Sequence, residues 1–456
     1  MRTYALNAAE KRPLYEQLYS AIKDDILQGR IGGGEKLPSK RALAEHLNIS
    51  CITVENAYAQ LLAEGYLSSR PRSGYYAQSL QTLPIMTSAA VVIPEQPPAA
   101  PSASAEHFPF SVWTKLMRGV LLDKREQLLQ PVPNLGLYEL RRAIAGMLLR
   151  SRGLAADPAC IVIGAGAEYL YNILIQLLGR DRVYGLEDPG HRKVAYVYEA
   201  NGVKSVPVEL DENGVSIQAL QRSGAAVMHL SPGHQYPTGI VMPIWRRRQL
   251  MGWLAEKEDR WLIEDDYDSE FRFGGRPVAT MFSMDDVGRV IYMNTFSKTL
   301  SPSLRISYMI LPKPLMERYQ QLLGFYSCTV PSFEQLTLAR FLDEGYFEKH
   351  VSRMRRHYRV LRDGFLQLLE RSAYAHKICV QGIDAGLHML LQLETSLSDE
   401  EVEARLGTVG VRAAALARYK QDPASGKRQG CMVVSYSDLE EQQLPQLVKL
   451  LEELVS

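Results

Sequence analysis

Residues 290–305 constrain the chain more than any other stretch. Val290-Ile291-Tyr292-Met293 is apolar and rich in strand formers, which predicts a buried strand. It runs into Asn294-Thr295-Phe296-Ser297-Lys298-Thr299-Leu300-Ser301-Pro302-Ser303-Leu304-Arg305. A lysine among hydroxyl residues at a strand end is costly to bury unless it has chemistry to do. Desolvation favours its neutral amine, the form that attacks an aldehyde to make a Schiff base. Thr295, Ser297 and Arg305 add hydroxyls and a fixed positive charge suited to a phosphate. A lysine amine beside a phosphate clamp is what pyridoxal phosphate (PLP) asks of a protein. On this stretch alone, a lysine and an arginine reaching from a strand end into solvent fit equally well.

Two earlier strand ends narrow the choice. Arg260-Trp261-Leu262-Ile263 leads into Glu264-Asp265-Asp266-Tyr267-Asp268. PLP draws electrons only while its pyridine nitrogen is protonated, and a facing carboxylate keeps it so; Asp265 is the candidate. Tyr267, two residues on, falls on the same side of an extended chain and would donate to the ring oxygen. Further upstream, His234-Gln235-Tyr236-Pro237-Thr238-Gly239 follows another apolar run and predicts a tight turn at a strand's carboxyl end. Ile161-Val162-Ile163-Gly164-Ala165-Gly166-Ala167-Glu168 reads as a strand entering a helix through small residues, whose bare N–H groups form an anion cup at Ala165, Gly166 and Ala167. Tyr169 stands where a dinucleotide fingerprint needs its third glycine, so the cup suits a single phosphate.

The order Pro-Thr-Gly, Asp-x-Tyr, Ser-Lys, Leu-Arg resembles that of fold-type I aminotransferases. The strings HQYPTG, EDDYDSEFRFGG and NTFSKTLSPSLR resemble the MocR/GabR-type regulators, which join a GntR-type winged helix to an aminotransferase-like domain. The resemblance implies PLP on Lys298, with His191, after Asp188-Pro189-Gly190, in the place of an aromatic residue stacked on the ring. Tyr236 replaces an asparagine that tunes it.

The amino-terminal part supports the other half of that resemblance. Apolar residues at Leu14, Leu18, Ile22, Ile26 and Leu27 predict a first helix over 13–29. Ser39 is a good N-cap for a second, and Ile52 to Glu64 reads as a third after the break Asn48-Ile49-Ser50. Two short strands around Arg70-Pro71-Arg72-Ser73-Gly74 make a basic wing. Residues 1–76 hold 10 Lys+Arg against 8 Asp+Glu, so charge alone does not mark a DNA binder. The strings LPSKRALAEHL, TVENAYAQLLAEGYL and RSGYYA resemble GntR winged helices, which implies DNA contacts at Ser39, Arg41 and Thr53, with Arg70 and Arg72 in the wing. Cys51 stands where that family usually has an arginine.

These readings divide the chain into a winged-helix domain at 1–77, an extended linker at 78–107 rich in Pro, Ala and Ser, and a PLP-binding domain at 108–456. The fold class is thus multi-domain: a winged helix-turn-helix, then an α/β fold-type I PLP-dependent transferase domain with a smaller α+β subdomain. The apolar patch Ala89–Ile93 lies in the linker. Arg353, Arg355, Arg356, Arg359 and Arg362 fall on a long helix read as bridging the two subdomains. Arg246-Arg247-Arg248 and Asp285-Asp286 read as solvated faces. Five widely spaced cysteines, with no Cys-x-x-Cys pair, fit reduced thiols. His229 and His234 have no ligand-type neighbours at metal spacing, so no metal centre is expected. No apolar run reaches spanning length, and the expectation is a cytoplasmic protein with no membrane contact. Expected partners are double-stranded promoter DNA and a small amine or amino acid, received by Arg192, Lys193 or Arg412. The resemblance adds a homodimer in which each DNA-binding domain crosses to the other subunit. Two departures, Tyr236 and Cys431 (the latter where aminotransferases place a carboxylate-clamping arginine), favour sensing over turnover. The rival expectation is a working aminotransferase with an accessory amino-terminal domain.

Overall fold

The computed structural model describes residues 2–7, 12–79, 107–274, 278–421, 430–435 and 439–456. Nearly all of the 78–107 stretch, with Ala89–Ile93, lies outside the described residues. The chain forms two compact units, Met1–Pro98 and Ala99–Ser456.

In the first unit, three helices, α1 (Leu14–Leu27), α2 (Lys40–Leu47) and α3 (Cys51–Ala63), precede strands β1 (Leu67–Arg70) and β2 (Gly74–Ala77). The helical spacing puts Leu18, Ile22 and Ile26 into one core with Leu43, Val54, Tyr58 and Leu61. Ser39 caps α2 by accepting from the Ala42 N–H, and Ser50 caps α3 by accepting from that of Thr53. α3 therefore starts one residue before the expected Ile52. The strands pair antiparallel, with Arg70 opposite Gly74. Between them Arg72 takes a left-handed φ of 58°.

The second unit is built on an eight-stranded sheet. Its strands are β3 (Ile161–Gly164), β4 (Val183–Asp188), β5 (Lys204–Asp211), β6 (Gly214–Val215), β7 (Val227–Leu230), β8 (Trp261–Asp265), β9 (Val290–Thr295) and β10 (Ser307–Ile310). The order is β3-β10-β9-β8-β7-β4-β5-β6. Strands β5, β4, β7, β8 and β9 run parallel, while β10 opposes both β9 and β3. β7, β8 and β9 are largely buried apolar runs because helices cover both faces, while the outer β5 is mostly exposed or half-buried. The carboxyl ends of β3, β4, β7, β8 and β9 share one edge and carry, or are followed by, all the sequence candidates of this unit but Arg412. A four-stranded antiparallel sheet completes the unit: β11 (Ile378–Gln381), β12 (His388–Leu393), β13 (Ala413–Ala415) and β14 (Cys431–Ser435), in the order β11-β12-β14-β13.

The 25-residue helix Tyr346–Glu370 joins the two sheets. Phe347 and Val351 pack in the large-sheet core, and Met354 through Leu369 in the small one. Its arginines do bridge: Arg355 bonds the Glu270 carbonyl at 2.7 Å and Arg359 that of Phe273 at 2.7 Å. Two surface expectations are corrected. Arg246 and Arg247 are buried, because Arg247 satisfies the Met242, Ala279 and Pro232 carbonyls and Arg246 pairs with Asp211. Asp285 is tied down as well, accepting from the N–H groups of Val287, Gly288, Arg289 and Val290.

Candidate functional site

Where the strand ends meet the small sheet, a cavity of about 680 Å³ opens. It is lined by Ala167, His191, Arg192, Lys193, Tyr236, Asp265, Tyr267, Thr295, Ser297, Lys298, Arg305 and Arg412. Five loops and β13 thus bring together residues spread over more than two hundred positions. Ala165 and Gly166, which precede Ala167, are not among the residues that line the cavity.

At one end sits Asp265. Its Oδ2 accepts from the Tyr171 hydroxyl at 2.7 Å and lies 3.5 Å from His229 Nε2, whose Nδ1 is 2.8 Å from the Tyr198 hydroxyl. Burial, and then the charge of Asp265, hold the Tyr171 phenol well above its ordinary pKa, so it stays a donor. The carboxylate is thus fixed from behind by residues that no local motif announced. Tyr171 is one helical turn past the cup at Ala167, the only sequence signal it carried.

At the other end is the anion cup, which differs from the expected one. The Ala165 N–H already donates to Thr329 Oγ1 at 3.0 Å, and the Gly166 N–H to the Gly164 carbonyl at 2.9 Å. Side chains take over instead. Arg305, with a left-handed φ of 51°, lays its guanidinium over Gly166, where a Cβ would fall 2.5 Å from Arg305 Nη2. Glu168 occupies the cup, accepting from Arg305 at 2.5 Å and from Lys193. Burial would raise the Glu168 carboxyl, but those two bonds outweigh it and hold it at about 2. Two cations around one carboxylate leave an excess positive charge for a phosphate. Thr295 Oγ1 shapes the turn, accepting from Ser307 at 2.9 Å and from the Ser297 N–H at 3.2 Å.

Lys298 stands between the two ends. The expectation that it is buried is corrected: it is exposed to the cavity. Over it, Tyr236 donates to the Tyr419 hydroxyl at 3.0 Å, and the His191 ring lies 5.4 Å from that of Tyr236. Tyr419 also accepts, through its carbonyl, from the Gly190 N–H. Glu187, half-buried on the wall, is pushed up to about 8 by desolvation, with the Asp265 charge adding to it against bonds from the Ser231 N–H and Gln235. Cys431 lies on the same face of β14 as the cavity-lining Val433 and Ser435, packed with Leu390, Leu416 and Tyr419. Its neighbour Gln429 lies outside the described residues.

An amine, an anion clamp and an anchored carboxylate in one cavity fit the aldehyde, phosphate and ring nitrogen of PLP. The orphaned Oε1 of Glu187 adds one more unused polar atom there. His229 and His234, expected to lack carboxylate partners, acquire them in three dimensions: Asp265 and Asp268 respectively.

In the first unit, Arg41, Arg70 and Arg72 are exposed, and the Arg70 guanidinium stacks 4.5 Å from the Tyr76 ring centre. Ser39 and Thr53 are committed to local bonds, the Thr53 hydroxyl lying 2.8 Å from that of Ser50. Ile52, not singled out in the sequence, is 68% exposed at the start of α3. Among the described residues no helix is long and apolar enough to cross a membrane.

Comparisons with known proteins agree with both halves. Residues 14–76 match the family model of bacterial regulatory proteins, gntR family, and residues 101–419 that of aminotransferase class I and II. An uncharacterized HTH-type transcriptional regulator of Bacillus subtilis, YdeL, is 39% identical over 454 residues, covering 96% of each chain. The probable rhizopine catabolism regulatory protein MocR of Rhizobium meliloti is 32% identical, covering 91% of this chain and 89% of its own. Among solved structures, an archaeal alanine:glyoxylate aminotransferase superposes with a TM-score of 0.68 at 23% identity, over 77% of this chain and 88% of that one. The chain belongs to the MocR-type family, in which a gntR-type DNA-binding domain is joined to an aminotransferase class I and II domain.

Proposed function

We propose that this chain is a PLP-dependent transcription regulator in which residues 1–77 hold promoter DNA and residues 108–456 sense a small amine or amino acid. The stretch 78–107 connects them, and a cytoplasmic, domain-swapped homodimer is the working form. PLP, when bound, supplies an aldehyde that takes up amines covalently and a ring that withdraws electrons. Lys298 would hold that aldehyde through its amine. Arg305, Ser297 and the Ala167 amide hold the phosphate, Glu168 giving way to it. Asp265, anchored by Tyr171, faces the ring nitrogen and keeps its proton there. Tyr267 donates to the ring oxygen, and His191 covers the ring face. Arg192, Lys193 and Arg412 receive a carboxylate on the effector.

The observation that favours sensing over turnover is Cys431. Transamination needs its substrate held rigidly, and positioning is worth roughly 7–11 kcal/mol of barrier. On the cavity face of β14, at the position aminotransferases give to a clamping arginine, this chain has a short thiol under Leu416 and Tyr419. Arg412 at the cavity edge favours the second reading, a working aminotransferase. One preparation separates them. Promoter affinity by fluorescence anisotropy, cofactor absorbance and keto-acid release are followed while a panel of amines is added. A shared shift of spectrum and DNA affinity with little keto acid supports the regulator. Turnover on the order of 1–10³ per second, with DNA binding unmoved, reverses the assignment.

A further inference from the structure

The cavity wall carries a second cluster that the cofactor residues do not use. His234, Asp268 and His388 are all buried, and one ligand atom from each lies within 4.8 Å of the others. They come from the loop after β7, the segment after β8 and the first residue of β12. His234 Nδ1 lies 2.9 Å from Asp268 Oδ2, and the two imidazole rings are centred 4.5 Å apart. Gly386 makes the room: its φ is +73°, and a Cβ there would fall 1.9 Å from His234 Cε1 and 2.5 Å from Asp268 Oδ2.

Nε2 of each ring is buried without a partner. His388 bonds the Pro237 carbonyl. With its Nε2 unpartnered, that bond runs from Nδ1–H and leaves a lone pair on Nε2. A carbonyl holding one nitrogen of an imidazole orients the other towards a metal, while on His234 it is Nδ1, 2.9 Å from Asp268 Oδ2, that is placed to ligate together with that carboxylate. The buried lone pair of His388 Nε2 has no protein donor to satisfy it, and a cation shared with His234 Nδ1 and Asp268 Oδ2 answers it. Two imidazoles and a carboxylate are a Zn²⁺-type donor set. Tetrahedral bonds of about 2.1 Å set ligand atoms ~3.4 Å apart, so atoms within 4.8 Å of one another close the site by drawing together by at most roughly 1.4 Å.

We propose that His234, Asp268 and His388 bind one divalent d-block cation, Zn²⁺ by preference, with an open position towards the cavity that Asp268 and His388 line. A nitrogen or carboxylate of the small molecule in the cavity completes the coordination. The site shares no residue with Lys298, Asp265 or Arg305. It touches the cofactor residues at Tyr267, whose hydroxyl is 3.2 Å from His234 Nδ1.

The test uses the full-length, tag-free chain, stripped with chelator and titrated with Co²⁺. The expected result is one Co²⁺ per chain with a visible d–d band, no thiolate charge-transfer band, and displacement by Zn²⁺. His388→Ala and Asp268→Asn should each weaken uptake at least tenfold, and His376→Ala, at an exposed histidine, should leave it unchanged. Because an ion that binds only the folded chain raises its melting temperature, a Zn²⁺-dependent rise in the unsubstituted protein keeps the test decisive if a variant folds poorly. Absent uptake, a sulfur signature, or uptake that survives either substitution overturns the proposal. PLP absorbance on the same samples is a separate readout, so the two readings stand or fall independently.

Discussion

Gly166 is where a single side chain would undo the anion cup. Its φ of 93° and ψ of 163° lie in a region essentially closed to L-residues, and a Cβ would displace the Arg305 guanidinium. Gly166→Ala should lower stability by about 1–3 kcal/mol and weaken PLP binding at least tenfold, read by cofactor absorbance and thermal melting together. Glu187 tests the opposite wall. Its carboxyl is raised to about 8, so its contribution is fully present below the unfolded value of 4.5 and is lost as pH rises through 8. A pKa unit is worth ~1.4 kcal/mol, and solvent in the cavity screens part of that. Glu187→Gln, which imitates the protonated acid, should therefore gain on the unsubstituted chain by on the order of 1–2 kcal/mol between pH 5 and pH 9. Parallel melts across that range check it; a difference that does not grow with pH shows that Glu187 stays ionised. These residues also show what local sequence cannot carry. That Lys298, Asp265 and Arg305 would share one cavity was legible because each ends a strand or follows one in a fixed order. Glu168, Tyr171, His388 and Thr329 were not, because their meaning comes from partners up to 164 positions away. Burial of Lys298 was misjudged for the same reason: a strand end says where the backbone stops, not whether a cavity opens beside it.

At the level of the element, the winged helix was legible almost to the residue, since caps, periodicity and turn chemistry are all local. Ser39 and Ser50 set the starts of α2 and α3, and Gly74 the wing turn. What the periodicity did not show is which hydroxyls are used up by capping. Arg41 and Arg72 remain exposed, and each replaced by Ala should weaken all DNA sequences alike and reduce the salt slope by roughly one unit. Ile52, exposed at the start of α3, would be a different kind of contact. An apolar side chain there would meet base edges such as the thymine methyl rather than phosphate. Ile52→Ala should thus cost on the order of 1 kcal/mol on the operator and leave the salt slope intact. Anisotropy titrations at several salt concentrations, on operator and on random DNA, distinguish the two classes. Arg246 and Arg247 fail as surface residues for a reason local sequence hides: a triple-arginine run looks solvated until the carbonyls of Met242, Ala279 and Pro232 converge on it.

For the whole molecule, the proposed function is a statement about linkage. If an amine bound in the cavity changes operator affinity by some factor, the operator must change amine affinity by the same factor, whatever structural route connects the two units. Such couplings are typically 5–150-fold. The cavity can supply the differential contact that this requires, since Tyr419 is held both by the Tyr236 hydroxyl and by the Gly190 N–H. An amine taken up beside Lys298 would share the cavity that these residues line. Two titrations on the PLP-loaded chain measure the factor from both directions: operator binding with and without saturating amine, and amine binding by absorbance with and without saturating operator. The expectation is equal factors above about fivefold. In Lys298→Ala the covalent exchange is lost while Arg305, Asp265 and the winged helix stay, so operator binding should persist and the coupling should fall towards unity. Equal factors near one in the unsubstituted chain would mean that DNA binding ignores the cavity, and the aminotransferase reading would then be the better account of the same residues.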